Sequence, residues 1–282
     1  MNPRLAAIAS AVLFSTGGAA IKSTSLTSWQ ISGLRSFVAA LAVLILLPET
    51  RRQWTWRSAV VSIAYALCLT SFVLATKNTT AANAIFLQAT APVYLVLLGP
   101  WLLGEKVRSS DWTTLAIVAI GMVLVFWDPG EAQALAPNPL LGNWLGALSG
   151  LTWALTVCGL RWLSKSQTGS SMTPVLMGNC VGILICLPQM FPLTEINNND
   201  IWSLAYLGVF QVGLAYWCLT RAMANLGALE ASLLIMVEPA LNPIWTWWLH
   251  GERPTLTAIA GGALIIGSAL LKSWQDRKNV VD

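Results

Sequence analysis

Long apolar runs alternate along this chain with polar connections that are mostly a few residues long. A helix crosses the hydrocarbon layer of a bilayer with about 20 mainly apolar residues. Ten segments meet that requirement: 4–22, 29–47, 58–76, 81–103, 112–128, 143–163, 174–192, 201–221, 228–250 and 255–273. The first could pass for a secretory signal, with Arg4 ahead of an apolar stretch and small residues near position 20. It continues to Ile21, however, and nine further runs follow that need no separate export signal, so it is read as a span. The longest connection, DPGEAQALAPNPLLG from Asp128 to Gly142, divides the runs five and five. The pattern therefore predicts an all-α polytopic membrane protein of ten transmembrane helices. Its first five-helix unit covers residues 1–128, its linker 129–142 and its second unit 143–282.

Composition agrees with that solvent. The chain is 56% hydrophobic and 10% charged, against about 25% charged in soluble domains, so its outer surface must face lipid. A net charge of +4 and a pI of 8.9 would suggest nucleic acid in a soluble protein. Here the bases lie in the connections, where they set topology, and nucleic acid is excluded as a partner. With the N-terminus cytoplasmic, twelve bases fall in inside connections, while Lys22, Lys77 and Arg253 fall outside and Arg35 lies within a span. Because Lys and Arg resist translocation, that asymmetry places both termini in the cytoplasm, in a multi-pass protein of the inner membrane. Tryptophans such as Trp54, Trp112, Trp127, Trp144 and Trp202 lie near run ends, where an amphipathic ring suits the headgroup layer.

The same phrase occurs twice. APVYLVLLGPWLLGEK (91–106) and EPALNPIWTWWLHGER (238–253) each carry a proline second, then an apolar run, then Gly-Glu and a base. Pro92 and Pro239, and likewise Glu105 and Glu252, are 147 residues apart. Ser10, Phe14 and Lys22 in the first span match Ser149, Trp153 and Arg161 in the sixth at a spacing of 139. These echoes, in order, predict a duplicated five-span unit. Five is odd, so the second copy enters the bilayer from the opposite side, giving a 5+5 inverted repeat with a substrate site near the midplane.

These residues resemble the drug/metabolite transporter superfamily, specifically its EamA-type ten-span exporters. The resemblance rests on the Pro-initiated runs closing in Gly-Glu, on Glu238-Pro239, on Arg35 in GLRSFVAAL, and on the aromatic residues Phe14 and Trp153 four positions after a serine. It implies a central cavity lined by spans one, three, four, six, eight and nine, with spans five and ten peripheral. It also implies export of amino acids, their derivatives or amines.

Polar groups inside spans are costly and so are the candidate site. Ser10, Phe14, Thr70, Gln88, Ser149, Trp153, Gln211, Tyr216, Trp217 and Glu238 are the expected cavity residues. Glu238 reads either as a site for an ammonium or a proton, or as a structural group tying the backbone beside Pro239 or neutralising Arg35. At ~1.5 Å per residue the depths of Glu238 and Arg35 differ by a few ångströms, so a pair between them is geometrically open. Arg35 reads alternatively as an outward snorkel or a backbone tether. Pro92 and Pro239 are the expected hinges, Glu105 and Glu252 cap or anchor span ends, and His250 reads as a wet surface histidine. Gly17, Gly18, Gly146, Gly150, Gly261 and Gly262 are expected where helices approach closely. The five cysteines lie in apolar runs without metal-ligand spacing, so no metal, cofactor or catalytic residue is assigned.

The expected function is secondary export of small amphipathic metabolites by alternating access, with a small-molecule substrate and the lipid bilayer as partners, as a monomer or homodimer. An exchanger of phosphorylated metabolites or nucleotide sugars is the alternative, for which Arg35 is the one deep base. A non-transporting scaffold or receptor is the alternative of another class. A single histidine and no nucleophile motif leave little for an enzyme.

Overall fold

A membrane helix bundle has to turn its few polar side chains inward and its apolar ones out, and α3 (Ser28–Leu46) does so. Ser32, Arg35, Ser36 and Ala39 are buried on one face, while Phe37, Leu41, Leu44 and Ile45 are exposed on the other. The computed structural model describes residues 2–51, 54–102, 109–128, 130–131, 133–165, 172–193, 195–223, 234–235 and 237–281. Among these, six helices are long and apolar enough to cross a membrane: Pro3–Lys22, Ser28–Leu46, Trp56–Asn78, Pro139–Leu160, Thr173–Met190 and Asn198–Ala222. Trp112–Trp127 and Leu256–Ser268 are shorter apolar helices.

In chain order the remaining elements are α1 (Pro3–Ser15) and α2 (Gly17–Lys22), α4 (Trp56–Asn78), α5 (Ala81–Gln88), α6 (Ala91–Leu102), α7 (Ser109–Trp127) and α8 (Pro139–Lys165). They continue with α9 (Thr173–Met190), α10 (Asn198–Ala205), a π-helical stretch Tyr206–Leu214, α11 (Ala215–Met223), α12 (Val237–His250) and α13 (Leu256–Val281). Local chemistry sets the starts. Thr27 with Gln30, Thr55 with Ser58, and Asn197 with Asp200 form reciprocal capping boxes at α3, α4 and α10. Thr80 caps α5 by accepting from the Asn83 N–H.

Among the described residues, two expected spans are interrupted. The first breaks at Thr16, between α1 and α2, and the fourth breaks at Ala89 and Thr90, between α5 and α6. Pro92 is therefore the second residue of α6, where its fixed φ suits a first turn, and the interruption precedes it instead of forming at it. Pro239 likewise sits, buried, in the first turn of α12. Glu105 and Glu230 lie outside the described residues, as does the side chain of Pro92.

Helix α4 packs along α8 and α9, α3 along α9 and the π stretch, α1 along α11 and α12, α5 and α6 along α8, and α7 along α13. Glycines admit the tightest of these crossings. A Cβ on Gly261 would lie 2.5 Å from the Gly121 carbonyl oxygen, and one on Gly150 would lie 2.7 Å from that of Leu87. Backbone there meets backbone, as in small-residue membrane crossings.

One end of the bundle is closed by a polar layer. Lys22 Nζ lies 2.6 Å from Glu252 Oε1 and donates also to the carbonyl oxygens of Thr79 (2.9 Å) and Leu135 (2.5 Å). The second Glu252 oxygen accepts the Ala81 N–H at 3.0 Å, capping α5. Lys77 Nζ donates to the Thr24 carbonyl at 2.9 Å, and buried Asp200 accepts from the N–H and hydroxyl of Ser25 at 2.8 and 2.7 Å. The sequence reading is corrected here in two places. Lys22 is a buried ion-pair member, not merely a topology base, and His250 is not a wet surface group. Its Nε2 lies 2.9 Å from the Ala19 carbonyl oxygen and 3.3 Å from Ser23 Oγ.

Candidate substrate site

Tyr216, buried near the start of α11, is the hub of an aromatic cluster. Its ring centroid lies 5.0 Å from Phe14, 5.1 Å from Tyr65 and 6.4 Å from Trp153, all edge-to-face, the arrangement ring quadrupoles favour. Phe14 comes from α1, Tyr65 from α4 and Trp153 from α8, so the cluster draws on both halves of the chain. The π stretch before α11 bears on the alignment. In an α-helix residues five apart lie about 140° apart, whereas the wider π turn (i→i+5 bonding) brings them close to one face. Gln211 and Tyr216 accordingly both meet the first span. Tyr216 packs on Phe14, and the Gln211 amide nitrogen lies where a Cβ on Gly17 would stand, 2.8 Å away.

Beside the rings is a polar group. Gln88 Nε2 donates to Ser149 Oγ at 2.7 Å and lies 3.6 Å from Cys68 Sγ, and Ser149 Oγ donates to the Cys68 carbonyl at 3.2 Å. Arg35 reaches the same region. Its Nη2 donates to the Leu69 carbonyl at 3.2 Å, and its electrostatic neighbours are Tyr65, Tyr216, Cys186 and Cys68. Glu238 is in electrostatic reach of Tyr216. It is half-buried, in the first turn of α12. Among the described residues no ion pair joins Glu238 to Arg35, and the Glu238 carboxylate meets no hydrogen-bond partner. Arg35 is held by backbone instead.

The remaining expected residues are placed differently. Thr70 accepts from Ser32 Oγ at 3.2 Å and lies 4.0 Å from Cys186 Sγ, on the α3–α9 side of Arg35. Trp217, next to Tyr216 in sequence, packs against the apolar cluster that holds Phe14, Tyr65 and Tyr216 and meets the Arg221 guanidinium, 4.2 Å from its ring centre. Ser10 is fully buried one turn before Phe14, and among the described residues its hydroxyl has no partner. Two members of the cluster were missed in the sequence. Tyr65 is a polar aromatic residue within a span, which the intramembrane-polar criterion could have flagged. Cys68 read as a small hydrophobe, and no sequence signal marked it as a bonding partner. Among the described residues no group of His, Cys, Asp and Glu could hold a metal ion.

Comparison with known proteins places this arrangement. The family model described as EamA-like transporter family matches residues 3–127 and 140–274. The chain belongs to the EamA-like transporter family. It is thus a multi-pass membrane transporter. It is 28% identical over 194 residues to the uncharacterized transporter YdfC of Bacillus subtilis, an alignment spanning 68% of this chain and 62% of that protein. It is 23% identical to the pseudopaline exporter CntI of Pseudomonas aeruginosa over 95% of both chains. A solved crystal structure superposes with a TM-score of 0.66 at 18% identity, covering 98% of each chain, which speaks for this transporter's fold alone.

Proposed function

We propose that this transporter is a secondary exporter of small amphipathic metabolites, namely amino acids, their derivatives or amines. It works by alternating access between two inverted five-helix units, 1–128 and 143–282, joined by 129–142. The observation that carries the reading is the symmetry of helix packing. Numbering the ten helical runs in order, the contact of one with eight matches that of six with three. One with nine matches six with four, and two with eight matches seven with three. Two with seven and five with ten map onto themselves. A duplicated unit packed about a twofold axis gives this pattern, and such halves support two equivalent packings that expose a shared site to each side in turn. The match of one family description over 3–127 and again over 140–274 supports the same division.

The site reading follows from where the halves meet. Phe14 and Trp153, 139 residues apart, flank Tyr216. The partner relation at Ser149 is broken in the other half. The position 147 residues beyond Gln88 is Ile235, and among the described residues the Ser10 hydroxyl has no partner, so the two serines differ in chemistry. One guanidinium beside the rings, with Glu238 close by, suits small amphipathic cargo better than phosphorylated compounds, which call for several bases.

Counterflow in proteoliposomes tests the proposal. Vesicles loaded with one unlabelled metabolite of the cargo class accumulate its labelled form only when the protein is present. A scaffold or receptor gives no counterflow with any member of an amino acid, amine and sugar-phosphate panel, and that result refutes the reading.

A further inference from the structure

Helix α2 is a six-residue segment set off from the rest of its span by the break at Thr16. At the break stand two glycines and two idle amides. A Cβ on Gly18 would lie 2.6 Å from Asn242 Oδ1, and one on Gly17 would lie 2.8 Å from Gln211 Nε2. Both amide side chains are buried. Among the described residues neither polar atom of Asn242 has a hydrogen-bond partner, and Gln211 Oε1 has none. Such groups are costly to enclose. Here they flank an interrupted helix, so backbone groups freed by a tilt of α2 meet donors and acceptors close at hand.

At its other end α2 is fastened. Lys22 binds Glu252 of the second half and, with its remaining donors, the Thr79 and Leu135 carbonyls; the second Glu252 oxygen takes the Ala81 N–H. One ion pair thus joins α2, the α4–α5 turn, the linker and the end of α12. A buried pair is a poor source of stability, since apolar side chains of similar volume do as well. It makes a seal that can open, because the charges attract strongly when dry and weakly once hydrated. A polar cavity of about 220 Å³ adjoins it, lined in part by Thr80, Glu131, Gln133, Arg253 and Thr255. Thr80 and Arg253 are the chain neighbours of Ala81 and Glu252. Charges released from the pair therefore enter a polar space that already holds groups of both signs.

We propose that α2 is a hinged gate at the outer end of the transporter, swinging at Thr16–Gly18 and latched shut by Lys22 and Glu252. This rests on the alternating-access reading above and names the part that opens. In the conformation described here the gate is shut. Opening tilts α2 off α12, parts the pair and uncovers Gln88, which lies seven residues along α5 from Ala81, about 10 Å by helix rise.

The test uses full-length protein with its five native cysteines replaced and Gln88→Cys as the reporter thiol. A sulfonated maleimide is applied to right-side-out and to inside-out vesicles. Lys22→Met strands the Glu252 carboxylate in the shut state, and Glu252→Gln strands the ammonium. Each should raise the outer labelling rate roughly ten-fold or more, with no rise at the inner face. The double variant Lys22→Met/Glu252→Gln strands neither charge and should label within roughly three-fold of the parent. Gly18→Ala sets a methyl 2.6 Å from Asn242 Oδ1 and 2.9 Å from Ala81 Cβ. It wedges α2 outward with the pair intact, should act like the single variants, and stands in for them if they do not fold. The proposal is overturned if outer labelling is unchanged in these variants, or if labelling rises at both faces and the double variant labels no more slowly than the singles, which is general loosening. Counterflow by the parent with the amino acid, amine and sugar-phosphate panel then separates the two readings. Where it proceeds, transport stands and only the gate falls; where it fails with every solute, the transport reading falls as well.

Discussion

Deleting either member of the Lys22–Glu252 pair strands the other, and the resulting cost is large enough to measure. The side chains are 0% and 5% exposed and their charged atoms lie 2.6 Å apart. Lys22→Met leaves the Glu252 carboxylate buried with only the Ala81 N–H to answer it, while Glu252→Gln leaves an ammonium facing the Thr79 and Leu135 carbonyls. Removing one partner of a buried pair costs about 3–5 kcal/mol. The double variant Lys22→Met/Glu252→Gln removes both charges together. It forfeits the two bonds to those carbonyls, at about 1 kcal/mol net each, and so should lose only about 2 kcal/mol. The cycle then shows coupling of about 4 kcal/mol or more, within the range found for close charge pairs. Equilibrium unfolding of the four proteins in mixed micelles yields the four free energies. Single variants that each lose under about 1 kcal/mol, with additive effects, would mean that water reaches the pair and that this end of the bundle is not sealed by it.

Three further outcomes follow from the geometry. Gly142→Ala places a methyl 2.5 Å from both Cβ and backbone nitrogen of Thr79, so it should destabilise by about 1–3 kcal/mol in the same unfolding assay, and a neutral result would show that α8 can shift away from the end of α4. Gln88→Ala removes the donor to Ser149 Oγ; counterflow should show a KM raised roughly five-fold, the worth of about one hydrogen bond, with kcat little changed. Glu238→Gln takes away a carboxylate that protonation would neutralise. Wild-type counterflow should weaken as pH falls, because the protonated acid no longer attracts an ammonium, and the variant should be flat with pH while running as a folded monodisperse species.

The all-α membrane character of the chain was readable because it leaves a linear trace, apolar stretches long enough for the bilayer separated by short polar connections. Which face of each helix turns inward was harder to read. Lipid is as apolar as the protein interior, so α3 has no polar outer face, and only Gln30, Ser32, Arg35 and Ser36 are polar residues marking its buried side. The same reading led to Phe14, Trp153 and Tyr216, which converge, to Thr70, which bonds Ser32, and to Trp217, which meets Arg221. The interruptions at Thr16 and Ala89–Thr90 and the π stretch 206–214 fall inside continuous apolar runs, where periodicity leaves no mark of them. The partnership of Lys22 with Glu252, 230 residues apart, left no trace in the linear pattern beyond the place of each near the end of an apolar run.

Alternating access through the Tyr216 cluster is tested most directly by asking from which side the cluster can be reached. In a background with Cys68, Cys158, Cys180, Cys186 and Cys218 replaced, Gln88→Cys puts one thiol beside Ser149. A membrane-impermeant maleimide should label it in right-side-out and in inside-out vesicles alike, with saturating cargo slowing both rates. Labelling from one side only, whatever cargo is present, would contradict the account.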